Sequence, residues 1–333
     1  MLAFRTTGYN GYGVQYSPFF DSRVAVATSA NFGLVGNGRL WVLGLTAGGI
    51  VAEATFDTQD GLFDLAWSES HENHVAVAAG DGSVKLFDIS LKDYPVQSWR
   101  EHTREVFSVN WSVVDKNAFC TSSWDGTIKL WTPRATKAVA TLAPPTPPGC
   151  VYAAAFSPHH PSLLASCSSD SIVRLWDPRA GPAPVAAVHA HGGAEVLSLD
   201  WNKYRPDVIA TAGVDRAIKV WDIRALSAAV AAEVAPLNDM RGHEYAVRRV
   251  AWSPHAADTL LSASYDMTAR VWRDKSARPD TATLPAARFR ALQRTFDRHR
   301  EFVVACDWSL WGAPGWVCTA GWDEMVYVWD VNA

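Results

Sequence analysis

One pattern recurs six times along this chain: an Asp turn followed by a short strand that ends in a large aromatic residue. A degenerate seventh copy, VGNGRLW, has Asn-Gly as its turn. The closing aromatics are 46, 44, 45, 45, 51 and 57 residues apart, which is the period of a β-propeller blade. They are Trp41, Phe87, Trp131, Trp176, Trp221, Trp272 and Trp329.

A second signature lies upstream of six of these turns. It is an alternating strand that also closes on an aromatic, followed by a polar turn and a strand of small residues. Asp81-Gly82 and Asp125-Gly126 are typical two-residue hairpin turns. Each unit therefore predicts three strands, and a weakly patterned fourth strand completes a blade. The upstream strands end at Trp67, Trp111, Phe156, Trp201, Trp252 and Trp308.

The combined pattern resembles the WD40 family over roughly residues 13–331. The resemblance implies an all-β, seven-bladed WD40 β-propeller, which makes residues 1–333 a single domain. Blades of that family carry a buried tetrad of His, Ser or Thr, Asp and Trp, linked by hydrogen bonds. Four blades supply the His, whereas blades two and four lack it. The expected tetrad members are His102, Asp125 and Trp131; His191, Asp215 and Trp221; His243, Asp266 and Trp272; and His299, Asp323 and Trp329.

Ring closure needs one more strand than the seventh repeat supplies. The sequence stops soon after the third strand of that repeat, at Asp330-Val331-Asn332-Ala333. Because an open sheet edge invites unwanted pairing, residues 2–7 are expected to form the closing outer strand of blade seven. The stretch 277–296 accounts for the longest interval between repeats. It is interpreted as an insertion between blades six and seven that also carries the outer strand of blade six.

Charge and motifs exclude several classes of function. The 30 basic and 34 acidic residues give a net charge of -4, so no basic field is available to bind nucleic acid. No apolar stretch reaches the length of a membrane span, so direct membrane insertion is not expected. Five scattered cysteines without a Cys-x-x-Cys pair indicate a reduced, cytosolic or nuclear protein. No nucleophile elbow, phosphate loop or zinc motif is present, so no catalytic residue, cofactor or metal is expected.

The candidate binding face follows from counting positions on the innermost strands. Six residues before the closing aromatic, two blades carry an acid, and three residues before it, blade two carries an acid. Three residues that directly precede a turn Asp are large aromatics. Aromatic anchors beside acids suit a cationic amphipathic peptide. The predicted peptide-binding residues are Asp64, Glu105, Trp124, Glu195, Tyr265 and Trp322.

Six idiosyncratic stretches resemble one group within the WD40 proteins, the receptors for the type 2 peroxisomal targeting signal (PTS2). In that family the acids that contact the signal's arginine fall, by motif, on Asp64 in GLFDLAW and Glu105 in REVFSVNW. The stretches are FRTTGYNGYGVQYSPFFDSRVAVATSANFGLVGNGRL at 4–40, GLFDLAWSE at 61–69, EHTREVFSVNW at 101–111, SSWDGTIKLW at 122–131, AEVLSLDWNKY at 194–204 and GHEYAVRRVAWSPH at 242–255.

This resemblance implies a soluble, non-enzymatic import receptor. Such receptors bind, in the cytoplasm, an N-terminal nonapeptide Arg-Leu-x5-His-Leu on peroxisomal matrix proteins such as thiolase. With a co-receptor they reach the docking complex of the peroxisome, and they cycle between the cytoplasm and the peroxisomal membrane and matrix. The alternative is a generic WD40 scaffold, of the histone-tail or ubiquitin-ligase adaptor type, that assembles a protein complex.

Overall fold

The structure is a computed structural model of the chain. It describes residues 1–30, 36–91, 94–144, 149–226, 234–277 and 291–333. Within these ranges, 28 strands form seven four-stranded antiparallel sheets, together with 3-10 turns at Ile223–Ala225 and Lys275–Ala277. The prediction of an all-β, seven-bladed WD40 β-propeller is confirmed.

Blades one to three each run from an innermost to an outermost strand in sequence order. Blade one contains β2 (Asn10–Tyr16), β3 (Arg23–Ala30), β4 (Asn37–Thr46) and β5 (Gly49–Thr58). Blade two contains β6 (Leu62–Trp67), β7 (His74–Ala79), β8 (Ser83–Asp88) and β9 (Gln97–Arg100). Blade three contains β10 (Val106–Trp111), β11 (Phe119–Ser123), β12 (Ile128–Trp131) and β13 (Ala140–Leu142).

Blades four to seven repeat this order, except that the last one is completed from the start of the chain. Blade four contains β14 (Val151–Phe156), β15 (Leu164–Ser168), β16 (Ile172–Trp176) and β17 (Ala186–His189). Blade five contains β18 (Val196–Trp201), β19 (Val208–Gly213), β20 (Ala217–Asp222) and β21 (Asn238–Arg241). Blade six contains β22 (Val247–Trp252), β23 (Thr259–Ser264), β24 (Ala269–Arg273) and β25 (Leu292–Phe296). Blade seven contains β26 (Val303–Trp308), β27 (Trp316–Gly321), β28 (Met325–Asp330) and β1 (Leu2–Arg5).

The first strand of the chain closes the ring. β1 pairs antiparallel with β28, from Leu2 opposite Val328 to Arg5 opposite Met325. Arg5 also forms an ion pair of 3.0 Å with Glu324 at the adjacent turn. Of the expected 277–296 insertion, residues 278–290 lie outside the described residues. The outer strand of blade six, β25, occupies the end of that stretch.

Blades three, five and six each contain a complete histidine tetrad, whose hydrogen bonds connect residues of the same blade. In blade three, His102 Nδ1 donates to Asp125 at 2.8 Å, and Nε2 accepts from the Thr121 hydroxyl at 2.8 Å. The Trp131 indole N–H donates to the same hydroxyl at 2.8 Å. Burial raises the pKa of Asp125, but hydrogen bonds from His102 and Thr127 outweigh it and hold that pKa well below its usual range. The equivalent networks are His191, Asp215, Thr211 and Trp221, and His243, Asp266, Ser262 and Trp272.

The other blades use parts of this network or replace it. In blade seven, His299 contacts Asp323 and Thr319 at 3.0 Å, but the buried indole nitrogen of Trp329 has no partner among the described residues. Blade four places the Arg174 guanidinium against its turn acid, Asp170. Blade two places Lys85 3.5 Å from Asp81 in the same way. The turn acid is therefore held in every blade that has one, by His in four blades and by a base on the same hairpin in two.

Candidate functional site

Each innermost strand contains a β-bulge near its start. In blade three, Val106 pairs with Ser123 and Ser108 with Ser122, so Phe107 between them has no partner residue. The same register shift occurs in all seven blades, four residues before the closing aromatic. A bulge redirects the side chain of the extra residue. The bulged residues are Tyr12, Phe63, Phe107, Tyr152, Leu197, Arg248 and Val304.

The bulges divide the central channel into two regions. We call the end at the Asp turns the mouth; it comprises the bulged residues, the residues two positions before them and the residues that precede the turn acids. Backbone hydrogen bonds tie the last two sets together: the Trp124 N–H donates to the Glu105 carbonyl at 3.0 Å, and the Trp322 N–H donates to the Phe302 carbonyl at 2.9 Å. We call the lining on the other side of the bulges the channel wall.

Aromatic rings follow one another around most of the mouth. Successive centroids lie 5.0–5.9 Å apart, which is the distance of ordinary aromatic contacts. Three of the predicted residues, Trp124, Tyr265 and Trp322, belong to this series. We call the whole series the aromatic arc: Tyr265, Phe302, Trp322, Tyr12, Phe63 and Phe107, with both Trp124 and Tyr152 packed on Phe107.

Two predicted acids lie on the same rim. The Glu105 side chain is 34% exposed and lies 3.6 Å from Arg104. Glu195, two blades away, accepts a 2.8 Å hydrogen bond from the Tyr152 hydroxyl, the last ring of the aromatic arc. Burial, and then the bond to Glu195, raises the pKa of Tyr152. We call Glu105 and Glu195 the acidic sector, and it adjoins the aromatic arc directly.

Blade four lies between the two acids of this sector and carries Cys150 at the equivalent position. Burial raises the pKa of the Cys150 thiol. The charges of Arg104, Glu195 and Glu105 all act on that thiol, so both acids contribute to the electrostatic field over blade four.

The sixth predicted residue, Asp64, lies in the channel wall. Its side chain is 3% exposed, and its carboxylate accepts from the Val109 N–H at 3.1 Å and from Arg249 at 3.4 Å. Ser108 and Ser198 make the corresponding link to the next blade, at 3.3 and 3.1 Å. Blade three and blade six therefore already engage the carboxylate at position 64, and its contact with a peptide stays a prediction.

Other polar residues of the channel wall also join neighbouring blades. Asp307 accepts from the Tyr16 N–H at 2.8 Å, and Asp200 accepts from the Trp252 N–H at 2.7 Å. Burial raises the pKa of Asp307 to about 7. These acids and Arg249 line a cavity of about 150 Å³. The wall is therefore built from polar groups that are committed to holding the ring.

The bulged residues of the mouth were not predicted as functional. Four of the seven are aromatic, and they recur at a fixed offset before the strand's closing aromatic. That recurrence is visible in the sequence. Strict strand alternation, however, places this position on the same side as the closing aromatic and so hides its exposure to the channel.

Among the described residues, no group of three or more His, Cys, Asp or Glu side chains is arranged to hold a metal ion. No helix within the described ranges is long and apolar enough to span a membrane.

The fold defines a class of protein, the WD-repeat β-propeller, and in this chain the mouth of the propeller is acidic and aromatic. The family model described as "WD domain, G-beta repeat" matches residues 93–132, and the one described as "EIPR1 beta-propeller" matches residues 146–272.

Curated relatives narrow this class to one family. The chain is 48% identical to the Peroxisomal targeting signal 2 receptor of Komagataella phaffii, over 100% of this chain and 99% of that protein. It is 43% identical to the protein of that name from Saccharomyces cerevisiae, over 99% of both chains. It is 46% identical to the human one, over 90% of this chain and 86% of the human protein. The chain belongs to the family of peroxisomal targeting signal 2 receptors.

Proposed function

We propose that this chain is a non-enzymatic import receptor that binds the N-terminal PTS2 nonapeptide of peroxisomal matrix proteins at its mouth. The observation that carries the proposal is the acidic sector placed directly beside the aromatic arc. The names of its relatives support the same role. Among the predicted residues, we assign the contacts at the rim to Glu105, Glu195, Trp124, Tyr265 and Trp322; Asp64 lies deeper, in the channel wall, where a contact with the peptide stays a prediction.

The acidic sector and the aromatic arc match the two kinds of side chain, basic and apolar, that such a peptide presents on one face. In a helix, residues spaced three, four or seven apart lie on one side, so the signal's Arg and its apolar residues form one face. The arginine is placed over blade four, between Glu105 and Glu195, where its planar fork reaches both carboxylates. The apolar residues then pack on the rings of blades six, seven and one.

The small area of contact between the peptide and the mouth favours the participation of a co-receptor. A nine-residue helix buries little surface, and the cost of ordering it opposes binding. A second protein that covers the exposed side of the peptide would bury the remaining apolar surface. In this proposal the complex of receptor, co-receptor and cargo such as thiolase forms in the cytoplasm and docks at the peroxisomal membrane, from which the receptor recycles.

Fluorescence anisotropy with a labelled Arg-Leu-x5-His-Leu peptide tests the site. A charge-assisted contact contributes about 1.5–3 kcal/mol, so Arg→Ala in the peptide or Glu105→Lys in the protein should weaken binding tenfold or more. Glu72→Lys, an exposed acid in the turn between β6 and β7 at the opposite end of the channel, is the matched control. It should bind like the wild type.

Two results would reject the proposal. One is equal affinity of wild type and Glu105→Lys for the peptide. The other is loss of arginine dependence, together with capture of histone tails or of ubiquitin-ligase subunits, which would favour the scaffold alternative. The assays are run with and without cell extract, because the extract supplies a co-receptor.

A further inference from the structure

Arg248, the bulged residue of blade six, places a cation at the centre of the mouth. Its side chain reaches across the channel, with the guanidinium 4.7 Å from the ring centroid of Phe107 in blade three. One nitrogen, Nη1, donates to the Leu197 carbonyl of blade five at 3.3 Å. Its charge also acts on Tyr12 of blade one, where burial raises the pKa and Arg248 opposes the rise. The guanidinium is therefore near four blades at once.

Among the described residues, this buried cation has no acidic partner. Arg248 is 6% exposed, yet no ion pair among the described residues includes it. Its neighbour in sequence, Arg249, pairs with Asp64 in the channel wall. Burying a charge without an opposite charge is costly, and buried arginines are usually paired. A guanidinium has five N–H donors, and in the described residues the Arg248 group uses one of them for a hydrogen bond.

We propose that Arg248 binds a carboxylate of the docked peptide, an Asp or Glu side chain that enters the centre of the mouth. This inference rests on the proposed function and adds a second charge requirement to it. The bound peptide presents a base to the acidic sector at the rim and an acid to Arg248 at the axis. A planar guanidinium holds a carboxylate through two parallel hydrogen bonds, and the aromatic arc shields the pair from water.

The surrounding charges favour a carboxylate over a phosphate. Glu105 and Glu195 lie on the rim of the same mouth, and a phosphate group carries nearly two negative charges at neutral pH. Repulsion by two carboxylates rises with each added charge. A singly charged carboxylate gains the bond to Arg248 and avoids most of this repulsion.

Paired peptides test the inference. In Arg-Leu-x5-His-Leu, each of the five x positions in turn carries Glu or its uncharged isostere Gln, and Kd is measured by anisotropy. On the wild type, at least one position should bind about tenfold more tightly with Glu than with Gln. In Arg248→Met, which keeps the length of the aliphatic chain, the Glu to Gln ratio at that position should fall to one, whatever the absolute affinity of the variant for the Gln peptide.

Arg248→Lys serves as the second variant. Lysine keeps the positive charge but lacks the planar guanidinium that forms two parallel hydrogen bonds. The ratio of affinities for the Glu and Gln peptides should therefore lie between those of wild type and Arg248→Met. Thermal melting of both variants shows whether the propeller is intact, and the Lys variant carries the test if the Met variant does not fold.

The outcomes separate the two proposals. If the Arg→Ala peptide still binds more weakly but Glu and Gln bind the wild type equally at all five positions, the carboxylate site is rejected and the proposed function stands. A Glu preference that survives in Arg248→Met rejects the site as well. If no peptide binds in an arginine-dependent way, both proposals are rejected together.

Discussion

Acidic residues of the mouth and of the channel wall lie at or just before innermost strands, but they differ in exposure and in the groups that they contact. Glu105 directly precedes the innermost strand β10, above the bulge, where its side chain is partly exposed and pairs with exposed Arg104. Asp64 lies three positions further along the equivalent strand of blade two, below the bulge, and is almost completely buried. It holds Arg249 and a backbone N–H of the next blade.

The difference teaches that one bulge changes the role of a carboxylate. Above the bulge, Glu105 is partly exposed and remains available for a ligand. Below it, the side chains of Asp64, Asp200 and Asp307 each accept a backbone N–H of the next blade. Mutations at the two levels should therefore separate stability from binding.

The largest effect is expected for Asp64→Ala. The variant leaves Arg249, whose side chain is 31% exposed, without its partner and the Val109 N–H without an acceptor, and leaving a buried donor unsatisfied costs about 1–3 kcal/mol. The free energy of unfolding from denaturant titration should fall by that amount.

The double variant Asp64→Leu with Arg249→Met is the control for this first prediction. It removes both charges together, so most of the lost stability should return. If Asp64→Ala changes the free energy of unfolding by less than about 1 kcal/mol, the mouth and the wall do not differ as described.

The second-largest effect is expected in the pH dependence of the free energy of unfolding, through Asp307 in the channel wall. Burial raises its pKa from 3.8 to about 7, so the folded state keeps a proton that the unfolded state loses. The contribution of protonated Asp307 to the free energy of unfolding is greatest below pH 4 and is lost as pH rises toward 7. Between these two pH values the free energy of unfolding falls on the order of 1 kcal/mol per pH unit.

The measurement is the stability difference between wild type and Asp307→Asn across pH 4–8. The difference cancels other titrations, such as that of His243, whose pKa is lowered by burial. The advantage of the wild type should shrink as pH rises. A difference that stays constant with pH would contradict the buried, protonated carboxyl.

The smallest effect on stability is expected for Glu105→Gln in the mouth. The only ion pair of Glu105 in the described residues is with exposed Arg104, and such pairs contribute at most about 1 kcal/mol. The unfolding midpoint should stay near that of the wild type while affinity for the signal peptide falls. A large loss of stability would place Glu105 with the wall residues.

Most of the fold was predictable because the repeat carries it. The 44 to 57 residue spacing of the closing aromatics gives one blade per repeat. Asp turns at fixed positions set the hairpins. The substitution of Lys85 and Arg174 for the missing histidines was not predicted, since each base is also typical of an exposed strand position. Pairing with the turn acid depends on three-dimensional packing.

The site was predictable in part. Counting back from the closing aromatic gives the level along the channel, so Glu105 and Glu195 were found at the rim. Counting from the closing aromatic does not give the side of the strand at or beyond the bulge, because one extra residue reverses the alternation. The bulged aromatics and Arg248 were therefore missed. Asp64 lies between the bulge and the closing aromatic, and its pairing with Arg249 of blade six depends on three-dimensional packing.

The pairing of β1 with β28 also determines when the ring can close during synthesis of the chain. Arg5 and its partner Glu324 are 319 residues apart, so β1 leaves the ribosome long before the strand with which it pairs. At ~5–20 residues per second, synthesis of the intervening chain takes roughly a quarter of a minute to one minute. Throughout that interval the nascent ring has two unpaired sheet edges. We therefore expect the nearly finished propeller to be open to wrong strand pairing until β28 is translated.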